Sequence, residues 1–225
     1  PPLNTTNCTT LLYAGDVTGI ALPSDFDGLE YSDPELHKVW VYVDYNDTTL
    51  DKDVGRVFEI TSSPAYAGIP CHDDAVSPLL ASIAGYGTIE DGKLMVGSLG
   101  KDAPGNGCNN TTCCQGIQVY RTVEWPIDIC CPQWAKASKP PTGQSRAIVA
   151  YSPDGDTGYA GTGGPGACDE SAFSISNVGE VGRYWNQMSL IDTNIDYLSD
   201  VAVNPECGTI YLFSATLCCC PVEVD

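Results

Sequence analysis

Helical periodicity of apolar residues is nearly absent from this chain. Short runs rich in Val, Ile, Ala and Tyr alternate with clusters of Gly, Pro and Asp. Such runs are strand signals, because successive side chains point to opposite faces of a sheet and the intervening residues supply turns. One hairpin pattern repeats. Ala147–Thr162 reads AIVAYSPDGDTGYAGT and Asp200–Ser214 reads DVAVNPECGTIYLFS. Aligned without gaps, Pro153 falls over Pro205, Thr157 over Thr209 and Tyr159 over Tyr211, at an offset of 52 residues. In the first copy, Pro presets φ and Gly accepts a positive φ, so the Pro-Asp-Gly segment fixes the turn.

Weaker copies lie upstream. Ser82–Gly97 has the same strand, acidic turn and strand, with Asp91-Gly92 over Asp154-Gly155. Gly19–Asp25 followed by Lys38–Asp44 reads as the same hairpin with a longer loop. Third strands are predicted at Arg56–Ile60, Gly116–Tyr120 and Ser171–Ile175. The period suits a four-stranded propeller blade. The expectation is an all-β fold of three to four propeller-like antiparallel blades, at about 14–75, 76–140, 141–196 and 197–225, after an N-terminal arm at 1–13. A β-sandwich with a chance repeat is the plainer alternative. Closed rings usually need roughly 4–8 blades, and the fourth unit here stops near Val222–Asp225. Either the Thr9–Tyr13 strand completes it or the chain is part of a larger ring. An unclosed stack would expose an apolar face and strand edges, which predicts a homo-oligomer or a second chain completing the assembly.

Charge narrows the partners. Lys+Arg is 10 against Asp+Glu 29, a net charge of −19. That balance repels phosphate backbones and anionic bilayers, so nucleic acid is not expected as a partner. At 43% hydrophobic residues the chain is too apolar to be disordered. No apolar run reaches the ~18–20 residues of a spanning helix, so no membrane span is expected. The first residues, Pro-Pro-Leu-Asn, lack a basic, apolar leader, so the start reads as a processed one.

Twelve cysteines, Cys8, Cys71, Cys108, Cys113, Cys114, Cys130, Cys131, Cys168, Cys207, Cys218, Cys219 and Cys220, contain no Cys-x-x-Cys pair. Adjacent thiols on a strand diverge, which is poor chelate geometry and suits disulfides leaving in different directions. Disulfides at all twelve positions are the expectation, and with them an oxidising compartment. Sequons begin at Asn4, Asn7, Asn46, Asn109 and Asn110, candidates for N-linked sugars. Together these features predict an extracellular or cell-surface protein.

Chemistry is sparse. Arg56, Arg121, Arg146 and Arg183 are scattered through the chain and are expected to pair with carboxylates. His37 and His72 are the only histidines, and no Gly-x-Ser-x-Gly elbow exists to partner either. No catalytic residue is assigned. No cofactor is expected beyond calcium, for which Asp44, Asp47, Asp51 and Asp53 offer hard oxygen ligands in what reads as a loop, as does Asp154-Gly-Asp156. Trp40, Tyr42, Tyr120, Tyr159 and Tyr211 are expected in the core between blades. Trp134, beside Pro132 and Cys130-Cys131, is expected to cover a disulfide.

Glu180-Val-Gly-Arg-Tyr-Trp185 resembles a worn Asp-box, the hairpin of sialidase-like and sortilin-like propellers. It departs at Val178, Glu180 and Tyr184, where that family has Ser, Asp and Thr. Trp185–Val203 also resembles bacterial surface-layer propeller blades. The second resemblance implies a structural subunit of a surface layer or filament, without enzymatic activity. The first implies, as the alternative, a secreted carbohydrate-binding or glycosidase-like module that takes glycans.

Overall fold

The computed structural model describes residues 16–27, 37–47, 52–60, 65–66, 79–100, 117–123, 134–143, 146–163, 171–191 and 197–215. These residues form strands and turns only. The first sheet contains β1 (Asp16–Ala21), β2 (Val39–Asp47), β3 (Lys52–Ile60) and β4 (Ala65–Tyr66). The second contains β5 (Leu80–Gly87), β6 (Gly92–Ser98), β7 (Val119–Thr122) and β8 (Trp134–Lys136). The third contains β9 (Ala147–Tyr151), β10 (Gly158–Thr162), β11 (Ser171–Ser176) and β12 (Asn186–Ile191). The fourth is the pair β13 (Tyr197–Val203) and β14 (Ile210–Ala215). Within every sheet, hydrogen-bonded neighbours are consecutive strands and all pairs are antiparallel.

Alternation explains how the sheets stack. On β6, Leu94 and Val96 face the first sheet, where Ala21, Trp40, Tyr42 and Val57 form one core cluster with them. The intervening Met95 faces the other way, into a cluster with Ala147, Val149, Tyr151, Ala160 and Trp185 of the third-sheet segment. A strand buried on both faces must read as a continuous apolar run, as Leu94-Met-Val96 does. A third cluster, Ile148 with Leu198 and Val201, joins the third sheet to the fourth. The first strands line up along these seams, β1 against β5, β5 against β9 and β9 against β13.

Two glycines let backbones meet there. A Cβ at Gly97 would lie 2.0 Å from the Ala147 carbonyl oxygen, so β6 and β9 approach as closely as they do only because position 97 has none. At Gly161 of β10, a Cβ would lie 2.5 Å from Leu198 of β13.

Three expectations change. Among the described residues no propeller ring closes: the fourth sheet has two strands and packs on the third, and no comparable contact among these residues joins it to the first. No disulfide forms among the described residues. Cys207, the cysteine they include, is a free, exposed thiol on the turn between β13 and β14, with its sulfur 3.0 Å from the Thr209 hydroxyl. The other eleven cysteines lie outside the described residues, as do Asn4, Asn7, Asn109, Asn110, Asp51 and His72. Trp134 is buried in the core cluster between the first two sheets.

Asp44, Asp47 and Asp53 belong to paired strands and not to a loop. Asp44 stands opposite Gly55, Asp47 opposite Lys52, and Asn46 opposite Asp53. Among the described residues no three His, Cys, Asp or Glu come together as a metal site. No helix among them is long and apolar enough to cross a membrane.

Candidate functional site

A cleft of about 590 Å³ opens between the second and third sheets. Lys93 reaches it from β6, and Arg121 and Thr122 from β7. Tyr151 comes from the end of β9, Asp156 from the β9–β10 turn, and Asn177, Glu180 and Val181 from the turn between β11 and β12.

Its floor is Arg121. The side chain is 8% exposed, and its Nη2 donates to the Glu180 carboxylate, whose side chain is 61% exposed. Nη1 is buried and has no hydrogen-bond partner. Glu180 thus engages only one arm of the guanidinium fork. The other Glu180 oxygen lies 3.9 Å from Arg183 Nη1. The hydrogen bond and charge of Arg121 hold the Glu180 carboxyl below the usual carboxylate range, and Arg183 adds to the effect. Burial pushes the Tyr151 hydroxyl well above its ordinary range, although the Arg121 charge opposes this. Tyr151 therefore stays protonated throughout the physiological range.

The turn carrying Glu180 is fastened from within. Gly182 N–H donates to the Ser176 hydroxyl at 2.8 Å, and the Trp185 indole donates to the Gly182 carbonyl at 3.2 Å. Gly182 has φ +85°, and a Cβ there would press on the aliphatic stem of Arg121 at 3.2 Å. The backbone beyond the turn docks on the second sheet: Ser138 N–H donates to the Arg183 carbonyl, and Trp185 N–H to that of Lys139. Trp185, 1% exposed, anchors this junction.

The opposite wall rests on the Ser152–Thr157 turn. The Ser152 hydroxyl donates to Asp154 Oδ1 at 2.5 Å and accepts from Thr157 N–H, while Asp156 N–H donates to the same carboxylate oxygen at 3.1 Å. These bonds pull the exposed Asp154 carboxyl below its usual range, the Ser152 hydroxyl contributing most. Gly155, at φ +72°, lies so close to the Tyr86 ring that a Cβ would meet it at 2.3 Å. Tyr86 in turn stands 6.0 Å from Tyr151 and has Lys93 Nζ at 5.9 Å.

Of the four scattered arginines, the fold brings Arg121 and Arg183 together around one carboxylate. Arg56 lies on β3 and Arg146 just ahead of β9. Trp40, Tyr42 and Tyr120 are core residues. Tyr159 is half-buried and stacks on Phe173 at 6.1 Å. Tyr211 departs from expectation: it is 49% exposed. The signal for the cleft was the lone arginine in the apolar stretch Val119-Tyr-Arg-Thr122, since a buried guanidinium needs a carboxylate. Compared with models of protein families and with curated proteins, the sequence finds no match in either.

Proposed function

We propose that this chain is a non-enzymatic structural subunit of an extracellular, glycosylated assembly, a surface layer or filament, in which copies join through the end of the sheet stack. One observation carries the reading. At each seam between sheets an apolar face is covered by the neighbouring sheet, but the fourth sheet presents Tyr211 and Phe213 outward at 49% and 50% exposure. Their strand, β14, has a neighbour on one side only among the described residues. Leu212, between them, points back toward Gly161 of the third sheet. Adjacent outward aromatics beside an unpaired strand edge are what a second copy would cover. A head-to-tail contact through this end builds a fibre or sheet where the rotation between copies does not close a ring. The sequons and the carboxylate-rich composition support an extracellular setting. Of the three carboxylates at the cleft, Asp91, Asp156 and Glu180, the last speaks against a role as proton donor. Glu180 is held ionised by Arg121, the reverse of what a glycosidase proton donor requires.

The test is sedimentation velocity with electron microscopy on the secreted protein and on a Tyr211→Ser, Phe213→Ser variant. The wild type is expected to form concentration-dependent polymers and the variant to stay monomeric. A wild type that remains a monomer at every concentration overturns the reading.

A further inference from the structure

We infer that the cleft between the second and third sheets is a binding site for a carboxylate-bearing sugar, a uronic acid, and that Glu180 is a tethered competitor for it. The cleft lies away from β14 and shares no residue with the Tyr211–Phe213 face.

The Arg121–Glu180 ion pair is incomplete. A guanidinium presents two parallel N–H donors to a carboxylate, and the two-pronged arrangement is the strong one. Arg121 sits at the floor of the cleft with its side chain more than nine-tenths buried, yet Glu180 reaches only Nη2, leaving Nη1 buried and without an acceptor. Glu180 hangs from a turn on the third sheet while Arg121 belongs to the second, so its approach is fixed by that tether. A free carboxylate has no such constraint and can engage both arms. On displacement Glu180 keeps a partner, because its second oxygen already faces Arg183 at 3.9 Å. The swing needs only rotation of the Glu180 side chain, which is 61% exposed, on a turn that stays fastened. Val178, Gly179 and Glu180 are all exposed, and a Cβ at Gly179 would meet nothing within 4 Å.

The rest of the lining selects a sugar. Asn177, Asp91 and Asp156 offer amide and carboxylate groups suited to hydroxyls, and Lys93 adds a second positive charge. A cleft of about 590 Å³ has room for a disaccharide and falls within the range of small-molecule sites. Asp91 and Asp156 disfavour anionic charge at the rim, so a ligand's carboxylate belongs at the floor beside Arg121. One carboxylate per ligand residue at the floor, with hydroxyls toward the rim, meets both conditions.

The experiment titrates the full chain with digalacturonate, with its methyl ester and with succinate, by isothermal calorimetry. Digalacturonate is expected to bind, and the ester and succinate to bind at least about tenfold more weakly. Glu180→Ala, which removes the competitor, is expected to tighten digalacturonate binding severalfold. Arg121→Lys, which keeps the charge and loses the fork, is expected to weaken it at least about tenfold. Glu180→Ala changes an exposed residue, so the proposal remains testable should Arg121→Lys not fold. Equal binding of the ester, or unchanged or weaker binding by Glu180→Ala, overturns the competitor role and the carboxylate site. Succinate binding as tightly as digalacturonate overturns the sugar. No binding of digalacturonate by the wild type or by Glu180→Ala overturns the site altogether.

Discussion

The Ser82 hydroxyl donates to the Ala147 carbonyl at 3.0 Å across the seam between the second and third sheets. The same oxygen accepts from Val149 N–H at 3.0 Å. β9 is the first strand of its sheet and bonds to β10 on one side only. Alternate residues of β9 therefore aim their backbone groups at the free edge, and one serine side chain satisfies two of them. Ser82→Ala leaves both without a partner, at about 1–3 kcal/mol for a buried polar group. Urea denaturation should show that loss, and Ser82→Thr, which retains the hydroxyl, should recover most of it.

Two glycine replacements separate crowding from backbone strain. Gly97→Ala puts a methyl group 2.0 Å from a carbonyl oxygen that belongs to backbone and cannot rotate away. We expect a loss of about 3 kcal/mol, the upper end of overpacking costs. Gly179→Ala meets no atom within 4 Å but must hold φ near +71°. Its cost should be about 1 kcal/mol, the ordinary penalty for an L-residue in the left-handed region. Equal destabilisation of the two variants in the same denaturant series would contradict this ranking.

Acid should act on the two glutamates in opposite senses. The folded Glu180 carboxyl is held low by Arg121, so its contribution is present above the ordinary carboxylate range and disappears as pH falls through the lowered folded value. Glu180→Gln should therefore flatten the fall in melting temperature on acidification. Glu59 is pushed up by burial, against the opposing effects of the Lys38 charge and the neighbouring Trp40 indole. The fold favours its protonated form, so stability is lost as pH rises through the ordinary range toward the raised folded value. Glu59→Gln should melt higher than the wild type at neutral pH, and the gap should close in acid. A gap that widens in acid would refute the assignment.

Trp185 joins the cleft turn to the second core cluster and donates to the Gly182 carbonyl. Trp185→Ala should cost about 3–5 kcal/mol through the cavity it leaves. Calorimetric unfolding checks this. A melting temperature close to that of the wild type would show that the turn is held by its hydrogen bonds alone.

The hairpins were legible because alternation and turn chemistry agree at the same residues. Ala147–Tyr151 and Gly158–Thr162 flank the Pro153-Asp-Gly155 turn as read, and Asp200–Val203 pairs with Ile210–Phe213. The Asp44–Asp53 stretch misled because its polar residues suggested a loop, whereas β2 and β3 stay paired through Asp47 and Lys52. Side-chain polarity says which face is wet but not where a ladder ends. Tyr211 aligns with Tyr159 in sequence, yet one stacks on Phe173 and the other faces outward. What differs is the next sheet, which no local pattern encodes. The Arg121–Glu180 pair spans 59 residues and depends on how two sheets meet. A lone arginine in an apolar strand announces that it needs a carboxylate without saying which of the 29 acidic residues supplies it.

The meander order of the strands bears on how the chain emerges from the ribosome. Every ladder joins a strand to the one just before or just after it. Each described strand waits at most for the strand that follows it, and each finished sheet offers its successor a template to settle on. Synthesis and folding can thus advance together sheet by sheet, and β13 and β14, a pair with a template on one side alone among the described residues, are the strands that a heated chain would surrender first.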